Sequence, residues 1–446
     1  MTRRLPGAHR ARTAVSLAVR TAKAPLEWRL PFSSPAAIER AQRRRLRATV
    51  THAYEHVPYY RETMRRLGLG PADFEAPNDL TKLPLIEREQ LQGDPEYFVS
   101  RAEPLASYLE FRTSGSTGEP IACFRSVPRS GSRRLGSERM EPTLAGLTGK
   151  RWRRRHAQIL PDSPASVDDA PQVQWLGLHL REILRSFSLF DLPAEIAPRL
   201  EEFRPHLLFS FGSYIEELYI HLVSERRSFH RPNVVIYTAD PVSEPVRRLM
   251  REELGIAVLS VYQTAEMGRI GWECERQCGH HLNVDLCPIR IVDSDRREVP
   301  VGESGHVVAS NLVNRGTVLL NYLPGDLARR LPEPCACGRT LPLLSQVQGR
   351  TTDWLRSGSG HPLHPHSVRD FMRRVEGIRR YQLVQERPGH VRVVTVTAPG
   401  ANREEIRARI VGEAQRLQDQ VEAEVEFSET LPRTEGGKVR TFLLND

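Results

Sequence analysis

The sequence predicts an α/β fold with a large N-terminal domain of mainly parallel sheets plus a β region, and a small C-terminal α+β lid domain. Two patterns lead to this prediction. Apolar segments of strand character alternate with helical segments between residues 195 and 264, and the pattern after residue 284 is strand-rich. The length of 446 residues also exceeds what one ordinary core supports, so two or more domains are expected.

The segments ahead of this region are less regular. Residues 1–30 are predicted to form a loosely packed arm, and residues 36–70 to form one or two amphipathic helices. Residues 126–170 are polar, charged and poor in apolar side chains, so they are expected to lie mostly at the surface or to be partly disordered.

The alternating region contains three predicted strands, at 207–211, 234–237 and 257–262, and helices at 214–224 and 244–254. Strands that alternate with helices usually form a parallel sheet. Ligands of such sheets bind beyond the carboxyl ends of the strands, so the segments that directly follow these strands are the candidate site.

The chain is predicted to divide at the turn Gln348-Gly349-Arg350, giving an N-terminal domain over 1–349 and a lid over 350–446. The lid is predicted to contain a helix at 368–375, strands at 380–385 and 391–397, a helix at 402–420 and a strand at 423–427.

Basic residues exceed acidic ones, with 64 Lys and Arg against 55 Asp and Glu. The arginine clusters at 43–45 and 151–155 are expected to be solvated surface, which reflects either an arginine-rich proteome or the steering of anionic nucleotides. No recognition-helix motif and no aromatic pair on a strand occurs, so no nucleic-acid partner is predicted. No apolar run approaches the roughly 20 residues of a membrane span, and a cytoplasmic protein is expected.

The most specific motif is Thr113-Ser114-Gly115-Ser116-Thr117-Gly118-Glu119-Pro120, which follows the predicted strand end Tyr108–Phe111. Glycines let a ligand approach the backbone, and successive N–H groups together with hydroxyls form an anion-binding concavity. The motif therefore predicts a phosphate-binding loop. It lacks the lysine of the classical P-loop.

Four motifs in order, namely this loop, Tyr262–Glu266, Tyr322–Asp326 and Gly436–Arg440, resemble those of the adenylate-forming superfamily. That superfamily comprises acyl-CoA synthetases, luciferases and peptide-synthetase adenylation domains. The segments His56–Arg61 and Pro205–Leu208 resemble the phenylacetate–CoA ligase-like branch, and the similarity spans roughly residues 45–445.

The resemblance implies sites for the phosphates and for adenylation. The residues implied to bind the ATP phosphates are Thr113, Ser114, Gly115, Ser116, Thr117 and Gly118, with Thr117 also catalytic. Glu119 stands where many relatives carry lysine, so that cation is absent. Lys438 is implied to reach in from the lid and neutralise charge as the carboxylate attacks the α-phosphate.

The resemblance also implies the remaining nucleotide contacts. Tyr262 would stack on adenine and Glu266 would be catalytic by holding Mg²⁺. The other implied nucleotide-binding residues are Ala239, Asp240, Gln263, Thr264, the ribose-binding Asp326 and the hinge residue Arg350. Gln263 and Ala265 replace the glycine and threonine usual in relatives, and Thr352 replaces the usual hinge aspartate.

Ordinary structural roles remain open for several of these residues. Asp326 could be a turn residue, Lys438 a solvated lysine and Tyr262 a core aromatic. Glu266 could instead cap a helix that begins at Met267.

The acyl pocket is expected to be formed by residues in the last part of the first two strands and directly after them: Phe209, Phe211, Gly212, Tyr214, Tyr237 and Thr238. Aromatic side chains there would suit an aryl or medium-chain acyl group. The same side chains could equally be core packing.

Two close-set thiol pairs occur among the six cysteines. The predicted structural zinc site takes four of the five residues Cys274, Cys278, His281, Cys335 and Cys337, with Cys278 and His281 competing for one position by resemblance to zinc-bearing relatives. This insert around 274–337 would pin the β region to the main sheet. The alternative is buried free thiols. Cys123 and Cys287 are expected in the core, and His361, His364 and His366 in a loop without metal.

The predicted function is ATP-dependent activation of a carboxylic acid to acyl-AMP, followed by transfer to a thiol. CoA is the first choice of acceptor, with carrier-protein phosphopantetheine second. One alternative is a CoA-independent amide ligase that uses an amine acceptor. Another is a degenerate, non-catalytic nucleotide-binding or scaffold protein. A homodimer is left open, and the acid is not readable from the sequence.

Overall fold

The computed structural model describes residues 24–112, 121–126, 135–160, 172–173, 182–225, 228–347, 355–360, 372, 375–398, 400–416, 421–432, 439 and 442–444. The phosphate loop, Arg350, the three histidines at 361–366 and Lys438 lie outside these residues. The chain forms two compact units, one comprising Met1–Pro324 with Ala328–Gln346 and the other Gly325–Leu327 with Val347–Asp446. The functional division at 349/350 remains a prediction.

The first unit contains several helices, which alternate along the chain with its strands. They are α1 (Pro35–His56), α2 (Pro58–Arg66), α3 (Arg88–Gly93), α4 (Leu135–Glu138), α5 (Glu141–Thr148), α6 (Pro193–Phe203), α7 (Gly212–Ser224) and α8 (Glu244–Arg248). The predicted helical segment 36–70 divides because Pro58 starts α2 and keeps Val57 extended, at φ −109° and ψ 119°. The predicted helix 244–254 is α-helical only to Arg248 and continues as a π-helical turn over Leu249–Glu253.

The strands of this unit are β1 (Tyr108–Arg112), β2 (Ala122–Ser126), β3 (Arg154–Leu160), β4 (Gln172–Val173), β5 (Glu182–Ser188), β6 (Leu207–Phe211), β7 (Val234–Thr238), β8 (Ala257–Thr264), β9 (Gly268–Glu273), β10 (His280–Leu282), β11 (Ile289–Val292), β12 (Ser304–Ala309), β13 (Leu327–Leu331) and β14 (Leu343–Leu344). Twelve of them form one sheet in the order β11-β12-β13-β14-β10-β9-β8-β7-β6-β3-β5-β4.

This sheet has a parallel half and an antiparallel half. Strands β5, β3, β6, β7 and β8 pair in parallel, whereas β9 runs antiparallel to β8 and starts the β region. The three apolar strands predicted from the sequence are all present, with β8 two residues longer than expected. The predicted fold class is confirmed.

Core clusters cover both faces of the parallel half. Val235 and Tyr237 point into one cluster, and Val234 and Ile236 into the other, as the two-residue period of a strand requires. Every residue of β7 is therefore buried, which explains why its sequence is continuously apolar.

The prediction of a polar surface for residues 126–170 is wrong for β3, a central strand. Its apolar residues Ala157 and Ile159 are fully buried. Arg154 begins the strand and is also buried, because it forms ion pairs with Glu141 and Glu182. The segment is polar in composition although β3 lies in the core, because its buried charge is paired.

The loose N-terminal arm is also wrong for residues 24–30. Glu27 is buried and its carboxylate accepts hydrogen bonds of 2.8 and 2.9 Å from the fully buried Arg139. Arg139 and Arg45 both pair with the buried Asp285. The expected solvated surface is therefore wrong for Arg45 and Arg154, one residue from each of the two arginine clusters.

The second unit contains a sheet in the order β17-β16-β15-β18, formed by β15 (Ile378–Arg387), β16 (His390–Thr397), β17 (Glu422–Phe427) and β18 (Phe442–Leu444). Helix α9 (Arg403–Gln415) contributes Ile406 and Ile410 to the core of this unit. The strands and α9 match the expected α+β pattern, although only Met372 and Val375 of the predicted helix 368–375 are described. Among all described residues, no helix is long and apolar enough to cross a membrane.

Candidate active site and thiol cluster

Glu266 lies in a tight turn that joins β8 to β9. The Thr264 hydroxyl accepts a 3.0 Å hydrogen bond from the Met267 N–H, and Gly268 reverses the chain at φ +78°. β9 begins at Gly268, so the alternative that Glu266 caps a helix is wrong. The turn places Glu266 at the carboxyl end of a strand of the parallel half, where ligands of such sheets bind.

Side chains from three other segments contact this turn. The Asn311 side-chain amide donates to the carbonyl oxygens of Glu266 and Met267, at 3.3 and 3.0 Å. Arg125 on β2 donates to the Ala265 carbonyl at 3.1 Å. The Arg88 guanidinium approaches the Glu266 carboxylate, with 3.5 Å between Nη1 and Oε1. Asn311, Arg125 and Arg88 were not predicted as site residues, because no local motif marks them.

The segment after β7 lies against the beginning of α7. A Cβ atom added to Gly212 would stand 2.2 Å from the Asp240 carbonyl oxygen, so only glycine fits there. Ala239 has a φ of +73°, an uncommon conformation for a residue other than glycine. The structure therefore brings Gly212, Ala239 and Asp240 together, and their ligand roles remain predictions.

The six predicted acyl-pocket residues do not share one face of the sheet. Phe211, Tyr214 and Tyr237 pack with one core cluster, whereas Phe209 packs with the cluster on the opposite face. Thr238 donates its hydroxyl to the Val261 carbonyl at 3.1 Å. The structure thus does not bring these residues into one group, and their role in binding an acid stays a prediction.

Two of these aromatic hydroxyls are occupied within the protein. Tyr214 donates to the Asp191 carbonyl at 2.9 Å, and Tyr237 accepts from Arg247 at 2.8 Å. Burial, together with the Glu273 carboxylate, raises the pKa of Tyr237. Core packing therefore accounts for most of the contacts of Tyr214 and Tyr237.

A buried polar network extends from Arg247 across the sheet. The Glu273 carboxylate accepts hydrogen bonds from the Ser260 N–H at 2.7 Å, from Arg247 at 3.3 Å and from Gln346 at 2.6 Å. The Ser260 hydroxyl lies 2.9 Å from His280 Nε2. The sequence carried no signal for this network, since its members come from separate elements.

Tyr262 lies beside the network and is almost completely buried. Its ring centroid is 6.2 Å from that of His280, with 52° between the ring planes. The stacking of Tyr262 on adenine stays a prediction, as do the roles of Gln263 and Thr264. Asp326 is buried directly after Gly325, whose φ of +84° turns the chain.

Four of the five candidate metal ligands meet in one cluster. The ligand atoms of Cys274, His281, Cys335 and Cys337 all lie within 4.8 Å of one another. Cys274 Sγ is 3.6 Å from Cys335 Sγ, and Cys337 Sγ is 3.4 Å from His281 Nε2. Cys278 is exposed and lies outside the cluster, so the structure favours His281 for the disputed position.

The 3.6 and 3.4 Å separations are close to those between the ligand atoms of a tetrahedral metal ion. Zinc with metal–sulfur distances of about 2.3 Å and a metal–nitrogen distance of about 2.0 Å would hold its ligand atoms roughly 3.5–3.8 Å apart. The donor set of three thiols and one imidazole is also that of structural zinc sites. All four positions would be filled by protein, which leaves none open for catalysis.

The electrostatics of the cluster are mixed. Burial raises the pKa of Cys274 and of Cys335. Burial also acts to raise the pKa of Cys337, but hydrogen bonds from Arg339 outweigh it and lower that pKa. Burial and the Arg339 charge lower the pKa of His281 to about 4, which keeps the imidazole neutral and able to bind a metal.

The cluster joins three segments of the β region. Cys274 directly follows β9, His281 lies in β10, and the other two cysteines lie between β13 and β14. Trp272 packs beside it, with its ring centroid 5.4 Å from that of His281. The remaining cysteines, Cys123 and Cys287, are buried in the core as predicted.

Comparison with solved structures places this fold among CoA ligases that form adenylates. 2-Hydroxyisobutyryl-CoA ligase, solved in the postadenylation state in complex with R3-HIB-AMP, superposes with a TM-score of 0.75. The superposition covers 94% of this chain and 91% of that chain at 19% sequence identity.

Sequence comparison agrees with the structural one. The chain is 26% identical over 373 residues to the phenylacetate-coenzyme A ligase of Thermus thermophilus, covering 78% of each chain. It is 26% identical over 384 residues to the phenylacetate-coenzyme A ligase of Escherichia coli, covering 80% of this chain and 82% of that one. No protein-family model matches. These similarities confirm the predicted resemblance to the phenylacetate–CoA ligase-like branch of the adenylate-forming superfamily.

Proposed function

We propose that this protein is an AMP-forming acid–thiol ligase. A carboxylate attacks the α-phosphate of ATP, giving acyl-AMP and pyrophosphate, and a thiol then attacks the acyl carbon and releases AMP. The observation that carries the proposal is the turn that holds Glu266 at the carboxyl end of β8, in a fold shared with CoA ligases. CoA is the first acceptor to test, because the relatives are named as coenzyme A ligases.

The residues of this chain have separate roles in the proposal. Glu266 would hold Mg²⁺, which neutralises phosphate charge. Asp326 would accept hydrogen bonds from the ribose hydroxyls, and Tyr262 would contact adenine. Lys438, from the C-terminal unit, would stabilise the charge that develops on the α-phosphate.

We also propose that the thiol cluster holds a structural zinc ion. The donor set and the interatomic distances of Cys274, His281, Cys335 and Cys337 support this assignment. The ion would fasten the loop between β13 and β14 to β9 and β10. Unpaired cysteines suit a reducing compartment, which supports the cytoplasmic location we propose.

The acid is proposed to be a carboxylate that carries an aryl group, because the curated relatives are named as phenylacetate-coenzyme A ligases. ATP–pyrophosphate exchange across a panel of aryl and aliphatic acids tests both the activity and this preference. We expect exchange with at least one aryl acid. An absence of exchange with every acid, while the chain still binds nucleotide, would favour a non-catalytic binding protein.

The matched pair for this assay is Lys438→Ala against Lys150→Ala, since Lys150 is an exposed lysine. We expect at least a tenfold loss of exchange in Lys438→Ala, equivalent to about 1.4 kcal/mol or more, and little change in the control. Equal exchange in both variants would contradict the role of Lys438. Product analysis with CoA, a carrier protein or an amine identifies the acceptor, and light scattering tests whether the protein forms a homodimer.

A further inference from the structure

Arg88 stands beside Glu266 with most of its hydrogen-bonding capacity unused. Its side chain is 12% exposed, and among the described residues it donates to Glu266, with 3.5 Å from Nη1 to Oε1. Its Nε and Nη2 atoms are buried and have no hydrogen-bond partner in the part of the chain that the structure describes. A guanidinium offers five donors, and a buried charge without partners is costly.

The backbone ahead of Arg88 is firmly held. The Ile86 N–H donates to the Asn321 carbonyl at 2.9 Å, and the Leu323 N–H donates to the Ile86 carbonyl at the same distance. The Asn321 side chain donates to the Leu83 carbonyl at 2.8 Å. The segment 83–86, which directly precedes Glu87 and Arg88, is thereby held against 321–323.

An anionic ligand would explain this arrangement. Glu266 is the proposed Mg²⁺ ligand, and a cation there would repel the neighbouring guanidinium unless an anion lay between them. Phosphate oxygens match the planar fork of arginine and accept two parallel hydrogen bonds. The sequence also places Glu119 where a lysine would otherwise follow the phosphate loop, so a second source of positive charge is needed.

We propose that Arg88 binds oxygens of the β- or γ-phosphate of ATP beside Glu266, and holds the pyrophosphate as it forms. This inference rests on the proposed function. Arg88 would act on ligands that carry the terminal phosphates and have no effect on AMP, which lacks them.

The test is calorimetric titration of the full-length Arg88→Gln variant with MgATP, with magnesium pyrophosphate and with AMP. We expect at least tenfold weaker binding of the first two ligands, and AMP affinity within about twofold of that of the unmodified protein. Arg88→Lys should recover part of the loss. Arg101→Gln is the control, because Arg101 is an exposed arginine in an exposed ion pair with Glu96.

A second background separates phosphate binding from simple neutralisation of Glu266. In Glu266→Gln, pyrophosphate without magnesium should still bind more weakly after Arg88→Gln is added. This double variant leaves no unpaired buried carboxylate, so it also serves if Arg88→Gln alone fails to fold. The inference is overturned if Arg88→Gln does not weaken pyrophosphate binding in the Glu266→Gln background. It is also overturned if Arg88→Gln weakens AMP binding as much as MgATP binding.

The outcomes also distinguish this inference from the proposed function. Binding of MgATP by the unmodified protein together with unchanged binding by Arg88→Gln refutes the role of Arg88 alone. Failure of the unmodified protein to bind MgATP or pyrophosphate refutes both.

Discussion

The Nε2 atom of His281 lies 3.4 Å from the Sγ atom of Cys337, although 56 positions separate the two residues in the chain. Cys278 is much closer to His281 in the sequence than Cys337 is. It is nevertheless exposed, and its thiol donates to the Arg276 carbonyl. The pairing therefore identifies which of the two competing residues completes the cluster.

The first prediction concerns metal content. Cys335→Ser should lose the bound zinc and destabilise the protein by about 3 kcal/mol or more, because metal binding contributes directly to folding. Cys278→Ser should keep both the zinc and the stability of the unmodified protein. Elemental analysis of the purified chains and thermal unfolding check this. Equal zinc loss in both variants would contradict the assigned ligand set.

The second prediction concerns Asn311. Its amide holds the two carbonyl groups of the Glu266 turn, while its Oδ1 accepts from the N–H groups of Val313 and Asn314. Asn311→Ala should destabilise the protein by about 2 kcal/mol, since buried polar groups lose their partners, and should slow ATP–pyrophosphate exchange.

Asn311→Asp is the matched variant, because it keeps the acceptor oxygen but replaces the donor with a second, negatively charged oxygen that faces the two carbonyl groups. Its exchange rate should fall too, while the loop at 313–314 keeps its hydrogen bonds. Full exchange activity in both variants would show that the turn does not depend on Asn311.

The third prediction concerns Gly212. In Gly212→Ala the new methyl group would collide with the backbone at Asp240 and Pro241. Since neither contact is the end of a flexible side chain, the 238–241 segment must move, and both stability and nucleotide affinity should fall. Gly146→Ala in α5 is the control, because nothing lies within 4 Å of that Cβ position. It should stabilise the helix by roughly 0.5–1 kcal/mol. Differential scanning fluorimetry and ATP titration distinguish the two outcomes.

The fourth prediction concerns His206 and pH. Its Nδ1 accepts a 2.9 Å hydrogen bond from the Arg155 N–H, and burial together with the charge of Arg155 lowers its pKa to about 4. An unfolded histidine has a pKa of about 6.5, so between these values the unfolded chain binds a proton that the folded chain does not. Stability should therefore fall as the pH drops from about 6.5 to about 4.

His206→Asn tests this directly, because asparagine can accept the same hydrogen bond without titrating. The difference in urea midpoint between the two proteins should shrink as the pH falls through this window. A difference that stays constant from neutral pH to about pH 4.5 would exclude His206 as a contributor.

Short-range patterns were enough to predict much of this protein. Strands β6, β7 and β8 were readable because buried parallel strands are continuously apolar. The motif around Glu266 could be placed at a strand end for the same reason. The resemblance to the superfamily came from motifs whose order, rather than individual strength, is specific.

Other features failed because long-range partners decide them. β3 was obscured by Arg154, whose charge is acceptable in a core only beside Glu141 and Glu182. The contact between the Tyr237 hydroxyl and Arg247 from the following helix was likewise not visible in the sequence, and the place of Tyr237 in an acyl pocket stays a prediction.

By itself, the sequence determined the α/β class, the strands of the parallel half and the family resemblance, because periodicity and motif order are properties of neighbouring residues. Only the tertiary structure decided that His281 rather than Cys278 joins the thiol cluster, and that Arg88 meets Glu266 across 178 positions. The physical reason is that such contacts join residues far apart in the sequence. The packing of the sheet determines which of these residues lie close together.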